Sequence, residues 1–170
     1  MIKHDVIEKK IKNGDMEGIY AAFDAYYDKI YGYCYRHVNH RETAQDLTQE
    51  VFLRVLLHLE KYRHYGKFEN YLYVIARNLC RDYYRKRYVL SLEDLELQEE
   101  ERGFIRTEEQ LVIEQALKKL PEQEREIILL RFYQDLKIKD IAKILGLKLS
   151  TVKYHLKRAQ ERLEDELTDI

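Results

Sequence analysis

Residues 136–163 read LKIKDIAKILGLKLSTVKYHLKRAQERL. Apolar side chains recur at helical spacing on both sides of Gly146, so the stretch predicts two short helices joined by a tight turn. Glycine readily adopts the positive φ that is common where helices end. The residues expected to face inward are Ile138, Ile141, Ala142 and Leu145 in the first helix and Val152, Leu156, Ala159 and Leu163 in the second.

The second of these helices has a basic side opposite its apolar stripe. Between residues 141 and 160 the charged side chains are all lysine or arginine. A helix pair with a glycine-containing turn and a basic second helix is typical of a DNA-reading helix-turn-helix. An ordinary helical hairpin with a solvated charged face has the same pattern. The residues on the outer side are Ser150, Lys153, Tyr154, Lys157 and Arg158.

The composition of the whole chain favours an all-α protein. Of its 170 residues, 45% are apolar and 36% are charged, which suits a folded chain and excludes an intrinsically disordered one. One proline, Pro121, and six glycines make helix breakers few. No apolar stretch approaches the roughly 18 residues that span a bilayer, and the N-terminus lacks the apolar core of a signal peptide. We therefore expect a cytoplasmic protein without membrane insertion.

Charge is distributed unevenly along the chain and predicts two domains. Residues 1–90 carry 16 basic and 12 acidic side chains (net +4), residues 91–116 carry 2 and 9 (net −7), and residues 117–170 carry 12 and 10 (net +2). We predict helical domains at 1–90 and 109–170, joined by an acidic linker at 91–108. Two mildly basic domains of this kind suit a nucleic-acid partner.

The two cysteines, Cys34 and Cys80, lie far apart, each in an apolar helical context. We expect both to be reduced thiols in the core. The sequence has no CxxC pair or Cys/His cluster, so we expect no metal and no cofactor.

The N-terminal domain begins with a predicted amphipathic helix at 3–12, which the tripeptide Asn13-Gly14-Asp15 ends. A second helix is predicted over 16–39, followed by a turn and another long helix. In the 16–39 helix, Tyr33 and Tyr35 are expected to be partly exposed. The residues expected in the core are Phe23, Tyr27, Ile30, Tyr31 and Cys34.

The next helix begins at Arg41, and three of its polar residues, Asp46, Gln49 and Glu50, lie off its apolar stripe. Asp46 and Glu50 are four residues apart, a spacing that could hold a metal or form an acid/base pair. No histidine or third carboxylate completes such a site in the sequence. An exposed acidic face is the simpler interpretation, and it suits a basic protein partner.

Residues 61–70 predict an aromatic and basic loop, and residues 71–87 an amphipathic helix with Arg77, Arg81 and Arg85 opposite its apolar side. From 61 to 87 there are eight basic and two acidic side chains. Cations can follow phosphates while rings stack on unpaired bases, so this block is a candidate single-strand site. A solvated arginine face with core aromatics is the alternative.

The C-terminal domain is predicted to begin with a helix from Glu109 to Leu120. Pro121 suits the first turn of the following helix. The core expected to support the helix-turn-helix is formed by Ile127, Ile128, Leu130 and Phe132.

The order of these segments resembles the bacterial extracytoplasmic-function (ECF) sigma factors, a family of small two-domain RNA polymerase sigma subunits. The resemblance implies a promoter-specificity subunit with no catalytic residues, whose partners are core RNA polymerase, promoter DNA and an anti-sigma factor. We expect a monomer when the chain is free. The matching stretches are FDAYYDKIYGYCYR, AQDLTQEVFLRVL, FENYLYVIARNLCRDYYRKR and LPEQEREIILLRFYQDLKIKDIAKILGLKLSTVKYHLKRAQERL.

The resemblance assigns a role to each block. It implies that the helix with Asp46, Gln49 and Glu50 docks on the polymerase β′ clamp, that the C-terminal domain contacts the β flap, and that the linker runs through the RNA exit region. The residues implied to open the minus-ten element and hold its non-template strand are Tyr62, His64, Tyr65, Lys67, Arg77, Arg81, Tyr84 and Arg85. Those implied to read the minus-thirty-five element in the major groove are Ser150, Lys153, Tyr154, Lys157 and Arg158.

Three departures from the family pattern matter. Tyr71 stands where tryptophan is usual, which keeps an aromatic residue. Lys148 stands where the recognition helix usually starts with serine, so we expect Ser150 to cap the helix instead and to move its start. Tyr154 and Lys157 are bulky where the family often has small or varied residues, so the minus-thirty-five preference of other members does not transfer.

Two other functions fit parts of the sequence. A helix-turn-helix regulator that binds duplex DNA as a dimer explains the C-terminal domain but needs neither the acidic helix nor the aromatic loop. A small nuclease would use Asp46, Glu50 or Asp82. Asp82 lies among arginines, where a salt bridge is the simpler expectation, and the sequence has no Gly-rich phosphate loop.

Overall fold

The computed structural model of the chain describes residues 9, 13–59, 67–92 and 107–168. All regular structure within these residues is helical. The chain divides into two compact units, Met1–Glu101 and Arg102–Ile170. The predicted all-α class with two helical domains is confirmed. The limits of the acidic linker stay a prediction, since residues 93–106 lie outside the described ranges.

The N-terminal unit contains three helices, α1 (Met16–Val38), α2 (Arg41–Leu57) and α3 (Phe68–Leu92). The side chain of Asp15 accepts a hydrogen bond from the Glu17 amide and caps α1, so the predicted break at 13–15 lies where this helix starts. The helix predicted at 3–12 lies outside the described residues, apart from Lys9.

Each of these three helices packs against the other two, and aromatic side chains fill much of the space between them. The rings of Tyr33 and Tyr73 meet edge to face with their centroids 5.4 Å apart, and those of Tyr26 and Phe68 meet at 5.9 Å. Edge-to-face pairs of this kind add to the stabilisation from apolar burial. Aromatic packing therefore joins α1 to α3, the helix that carries several of the candidate site residues.

The expectation that Tyr33 is partly exposed is wrong, because its side chain is only 1% exposed. Both α2 and α3 cover α1, so the buried arc of α1 is wider than one stripe of helical spacing. Ile30 and Cys34 are fully buried as predicted. Phe23, Tyr27, Tyr31 and Tyr35 are half-buried.

Helix α3 begins three residues earlier than predicted, so the predicted loop at 61–70 extends too far. Phe68 is fully buried against Tyr26, and the buried carboxylate of Glu69 lies 3.0 Å from Lys29 Nζ. These contacts hold the first turn of α3 against α1. The predicted inner stripe of α3 is confirmed: Leu72, Ile75, Ala76 and Leu79 are buried and Tyr83 is half-buried.

The C-terminal unit contains α4 (Glu108–Lys119), α5 (Glu122–Ile128), a π-helical turn (Leu129–Tyr133), α6 (Ile138–Leu145) and α7 (Leu149–Thr168). Thr107 and Gln110 form a capping box at the start of α4. Pro121 immediately precedes α5 and does not lie within its first turn. Gly146 ends α6 with φ 65°, as predicted.

The inner side of α7 joins a hydrophobic cluster with residues that precede it in the chain. Ala159 of α7 lies in this cluster with Leu117, Leu120 and Ile128, and Leu156 and Leu163 of α7 pack against it. Ile127, Ile128 and Leu130 are buried as predicted, but Phe132 is 56% exposed and that prediction is wrong. The π-helical turn winds more widely than an α-helix, so the side chains that follow Ile128 rotate out of the α-helical phase. Phe132 thus leaves the core, and its ring lies 5.9 Å from the Arg131 guanidinium carbon.

Candidate nucleic-acid and protein interfaces

The outer side of α7 carries cations and an aromatic ring, while Val152 and Ala159 bury its inner side. Tyr154 is 61% exposed, the largest exposed aromatic surface on this helix. Lysine and arginine can bind phosphates and base edges, and a tyrosine can make polar and apolar contacts. The structure places all the predicted reading residues on this exposed side: Ser150, Lys153, Tyr154, Lys157 and Arg158.

The start of α7 differs from the expectation. The helix begins at Leu149, directly after Lys148, and the Val152 amide donates to the Lys148 carbonyl at 3.1 Å. Ser150 therefore lies within the first turn, and the expectation that it caps the helix is wrong. The amide of Leu147 donates a hydrogen bond to the Ala142 carbonyl at 2.9 Å. This bond closes a tight turn after α6, so α7 can begin only two residues later, at Leu149.

Glu161 was not predicted as part of this surface, yet it faces two of its cations. Its carboxylate oxygens lie 3.8 Å from Lys157 Nζ and 3.9 Å from Arg158 Nη1. The spacings of four and three residues are visible in the sequence and are the signal for such pairs on a helix. Exposed pairs of this kind contribute at most about 1 kcal/mol, so a phosphate can displace Glu161.

The arginines of α3 lie along two turns of that helix, a distance of about 12 Å between Arg77 and Arg85. Arg81 and Arg85 are exposed and Arg77 is half-buried. Arg85 Nη2 lies 3.0 Å from Asp82 Oδ1, so the salt bridge expected for Asp82 is confirmed. Lys67, directly before α3, is half-buried. The surface is basic along its length and can follow a phosphate backbone.

Tyr84 joins this surface to the end of α1. Its hydroxyl donates a hydrogen bond to the His37 carbonyl, while the residue stays 47% exposed. Its ring also meets that of Tyr83 edge to face at 5.7 Å. Because the hydroxyl of Tyr84 is hydrogen-bonded, its ring is held in one position, and its exposed part can stack on an unpaired base. The other predicted aromatic and histidine contacts, Tyr62, His64 and Tyr65, lie outside the described residues.

The acidic side of α2 is exposed at Asp46 and Gln49. Glu50 is half-buried, and its Oε1 lies 2.7 Å from Arg54 Nε. Beside these residues runs a groove of about 300 Å³, mostly apolar, whose lining includes Gln49, Phe52 and Leu53. A partner with basic and apolar side chains would match this surface in both charge and polarity.

Cys34 and Cys80 are fully buried thiols that form no disulfide within the described residues, as predicted. A hydrogen bond from the Cys80 thiol is the main cause that lowers the pKa of the Cys34 thiol below its ordinary value. Thr48 and His37 lower it further, while burial acts in the opposite direction. Burial also raises the pKa of Tyr73, with the nearby Glu69 acting in the same direction.

Neither a metal-binding group nor a membrane span is found among the residues that the structure describes. No three His, Cys, Asp or Glu side chains in those ranges come together as metal ligands, so Asp46 and Glu50 gain no third partner there. Over the same ranges, the helices are too short or too polar to cross a bilayer.

Comparison with known proteins decides the family. The sigma-70 region 2 model matches residues 22–88, and the sigma-70 region 4 model matches residues 110–163. The ECF RNA polymerase sigma factor SigW of Bacillus subtilis is 31% identical over 186 residues, which covers 100% of this chain and 98% of SigW. The chain belongs to the ECF family of RNA polymerase sigma factors.

Other relatives agree with this assignment. The RNA polymerase sigma factor YlaC of Bacillus subtilis is 32% identical over 152 residues, covering 84% of this chain and 88% of YlaC. As an ECF sigma factor, the chain is a transcription initiation factor that acts in promoter recognition, and it is not an enzyme. Helix α2 lies within the region 2 match, α3 begins within it, and α7 begins within the region 4 match.

Solved structures show the same fold. CnrH, solved in complex with the cytosolic domain of CnrY, has a TM-score of 0.73 at 21% identity, covering 98% of this chain and 97% of CnrH. The sigma factor RpoE of Bartonella quintana, solved with the anti-sigma factor NepR, has a TM-score of 0.70 at 20% identity, covering 87% and 95%.

Proposed function

We propose that this ECF sigma factor reads the minus-thirty-five element of its promoters with the outer side of α7. The observation that carries the proposal is the division of α7 into two sides. Val152 and Ala159 fix one side in the core, while the other presents Lys153, Tyr154 and Arg158 to solvent. A recognition helix needs this arrangement to enter a major groove without losing its own packing.

The basic side of α3 is the proposed contact for the minus-ten element. Arg77, Arg81 and Arg85 offer cations to the phosphates of a separated strand, and Tyr84 offers a ring that its hydroxyl anchors to α1. A surface that binds single strands better than duplex shifts the promoter towards its melted state. Lys67, Tyr62, His64 and Tyr65 belong to the same proposed site.

The proposal assigns the protein partners to other surfaces. Asp46, Gln49 and Glu50 on α2 dock on the β′ clamp of core RNA polymerase, supported by the exposed acidic side beside an apolar groove. The C-terminal unit contacts the β flap. An anti-sigma factor is proposed as an inhibitory partner, because the solved structures with the same fold include sigma factors bound to such proteins.

The test uses holoenzyme assembled from the full chain and bacterial core RNA polymerase. A promoter selected from a random library is compared with the same promoter carrying a scrambled minus-thirty-five element. Because a good base contact contributes about 1–3 kcal/mol, we expect Arg158→Ala or Lys153→Ala to weaken binding to the selected promoter by roughly 5- to 150-fold. Neither change should have a comparable effect on the scrambled promoter.

Lys118→Ala is the matched control, since Lys118 is an exposed lysine on α4, outside the proposed reading surface. We expect this variant to bind both promoters as the unaltered chain does. Equal losses on the selected and scrambled promoters would show phosphate contact alone and contradict base reading by α7. No loss from either reading-surface variant would also contradict it.

A further inference from the structure

Glu124 is a buried carboxylate of α5 that faces α7, the proposed recognition helix. It lies in α5, one turn before Ile128, and its side chain is only 7% exposed. A buried carboxylate is costly to desolvate unless cations or hydrogen-bond donors compensate its charge. Among the described residues, the side chains that form ion pairs with Glu124 are His155 and Arg162, both on α7. This charge therefore links α5 to the proposed recognition helix.

Two α7 side chains flank the carboxylate. Arg162 Nε lies 3.1 Å from Glu124 Oε2, and His155 Nδ1 lies 3.8 Å from Glu124 Oε1. His155 and Arg162 are seven residues apart, which places them on one side of α7 about two turns from each other. Within the described residues neither Glu124 Oε2 nor His155 Nδ1 makes a hydrogen bond, so both contacts are electrostatic. They place the charge of Glu124 opposite two points that are two turns apart on α7.

His155 carries this contact to the reading surface. Its ring meets the ring of Tyr154 edge to face, with centroids 5.3 Å apart and planes at 73°. His155 is 25% exposed in its side chain, whereas Tyr154 is 61% exposed. The less exposed His155 ring therefore packs against the more exposed Tyr154 ring.

We infer that Glu124 is a positioning residue for promoter reading: it holds His155 and Arg162, and His155 fixes the ring of Tyr154 on the outer side of α7. The inference rests on the proposed function, because it requires Tyr154 to contact minus-thirty-five DNA. Glu124 itself lies beneath the reading surface and acts only through α7.

The test measures base preference, which loss of folding alone does not change. Holoenzyme containing the full chain is bound to a panel of promoters, each with one base pair of the minus-thirty-five element changed. Tyr154→Ala identifies the base pairs that the tyrosine reads. We expect Glu124→Gln, which keeps the shape but removes the charge, to relax preference at those same base pairs by about 3- to 10-fold, less than loss of a direct contact.

Glu122→Gln is the matched control, since Glu122 is an exposed glutamate two residues earlier in the same helix. We expect it to leave the base-preference profile unchanged. A Glu124→Gln profile identical to that of the unaltered chain would overturn the inference. So would a uniform loss across all promoters, which a smaller folded fraction would produce.

His155→Ala keeps the test decisive if Glu124→Gln does not fold, because it leaves the pair between Glu124 and Arg162 in place. We expect it to relax preference at the base pairs that Tyr154 reads, and an unchanged profile would overturn the inference. If the unaltered chain shows no minus-thirty-five preference, the proposed function itself fails. If it shows one and Tyr154→Ala does not alter it, only the inference fails.

Discussion

Gly146 ends α6 and begins the turn of the helix-turn-helix. Its φ is 65°, in the left-handed region. Apart from Gly146 itself and its two neighbours in the chain, no described residue has a heavy atom within 4 Å of the position that a Cβ would occupy. A side chain there would meet no steric obstacle, so the cost of replacing glycine comes from the backbone alone. Gly32, in the middle of α1, has the same open surroundings within the described ranges but an ordinary helical backbone.

These two glycines should respond to alanine with opposite signs. Gly146→Ala should lower the free energy of unfolding of the C-terminal unit by about 1 kcal/mol, because alanine disfavours the left-handed region. Gly32→Ala should raise that of the N-terminal unit by roughly 0.5–1 kcal/mol, since alanine is the better helix former. Urea unfolding followed by hydrogen exchange in each unit measures both. Stabilisation by Gly146→Ala would contradict the turn geometry.

The role of a residue that depends on its own backbone could be predicted from the sequence. A contact between residues of different helices could not. Gly146 follows an amphipathic run, and its role depends on its own backbone. The contact between Glu124 and Arg162 joins residues 38 positions apart, since 162 − 124 = 38. It becomes visible only when α5 and α7 are packed together. The burial of Tyr33 likewise depends on a second covering helix, which spacing along α1 does not reveal.

At the scale of elements, the π-helical turn at Leu129–Tyr133 decides which aromatic side chains leave the core. It follows α5 directly, and the Gln134 amide donates to the Leu129 carbonyl at 3.2 Å, a wider loop than an α-helical turn. Leu130 is fully buried, whereas Phe132 is 56% exposed. Helical spacing from Ile128 predicts the opposite for Phe132, because a wider turn leaves no clear mark in hydrophobic periodicity.

The turn therefore predicts very different costs for two large apolar side chains. Leu130→Ala should lower the free energy of unfolding of the C-terminal unit by about 2–4 kcal/mol, since it leaves a cavity in the core. Phe132→Ala should cost less than about 1 kcal/mol, because the ring is already largely in solvent. Chemical denaturation of the two variants measures the difference. Similar losses for both would contradict the π-helical turn and restore Phe132 to the core.

The other elements were largely predictable, because each helix has an apolar stripe and clear boundaries. The start of α1 after Asp15, the end of α6 at Gly146 and the inner stripe of α3 follow from spacing and capping chemistry. The start of α3 at Phe68 was not predicted. Phe68 and Glu69 are held by contacts with Tyr26 and Lys29 on another helix, which the local sequence cannot reveal.

At the scale of the whole molecule, each unit carries a surface suited to a different partner. The N-terminal unit has an acidic side on α2 and a basic side on α3, and the C-terminal unit has the basic outer side of α7. The net charge of −1 conceals this separation. An isolated duplex-binding regulator would need only the last of these surfaces. We therefore expect promoter opening to require the chain and core polymerase together.

Open-complex formation measures this joint requirement. Purified chain and bacterial core RNA polymerase are mixed on a promoter library, and permanganate detects unpaired thymines. We expect melting at defined start sites only when both components are present, and we expect Glu50→Lys to abolish it at the polymerase-binding step. Loss of the Glu50–Arg54 pair itself should cost at most about 1 kcal/mol of folding free energy.

The control is Glu109→Lys, which makes the same charge change at an exposed glutamate of the C-terminal unit and should leave melting unchanged. We expect the chain alone to melt no promoter and the Glu50→Lys variant to fail to assemble with core polymerase. Tight duplex binding by the chain alone, indifferent to polymerase and to Glu50→Lys, would contradict these expectations.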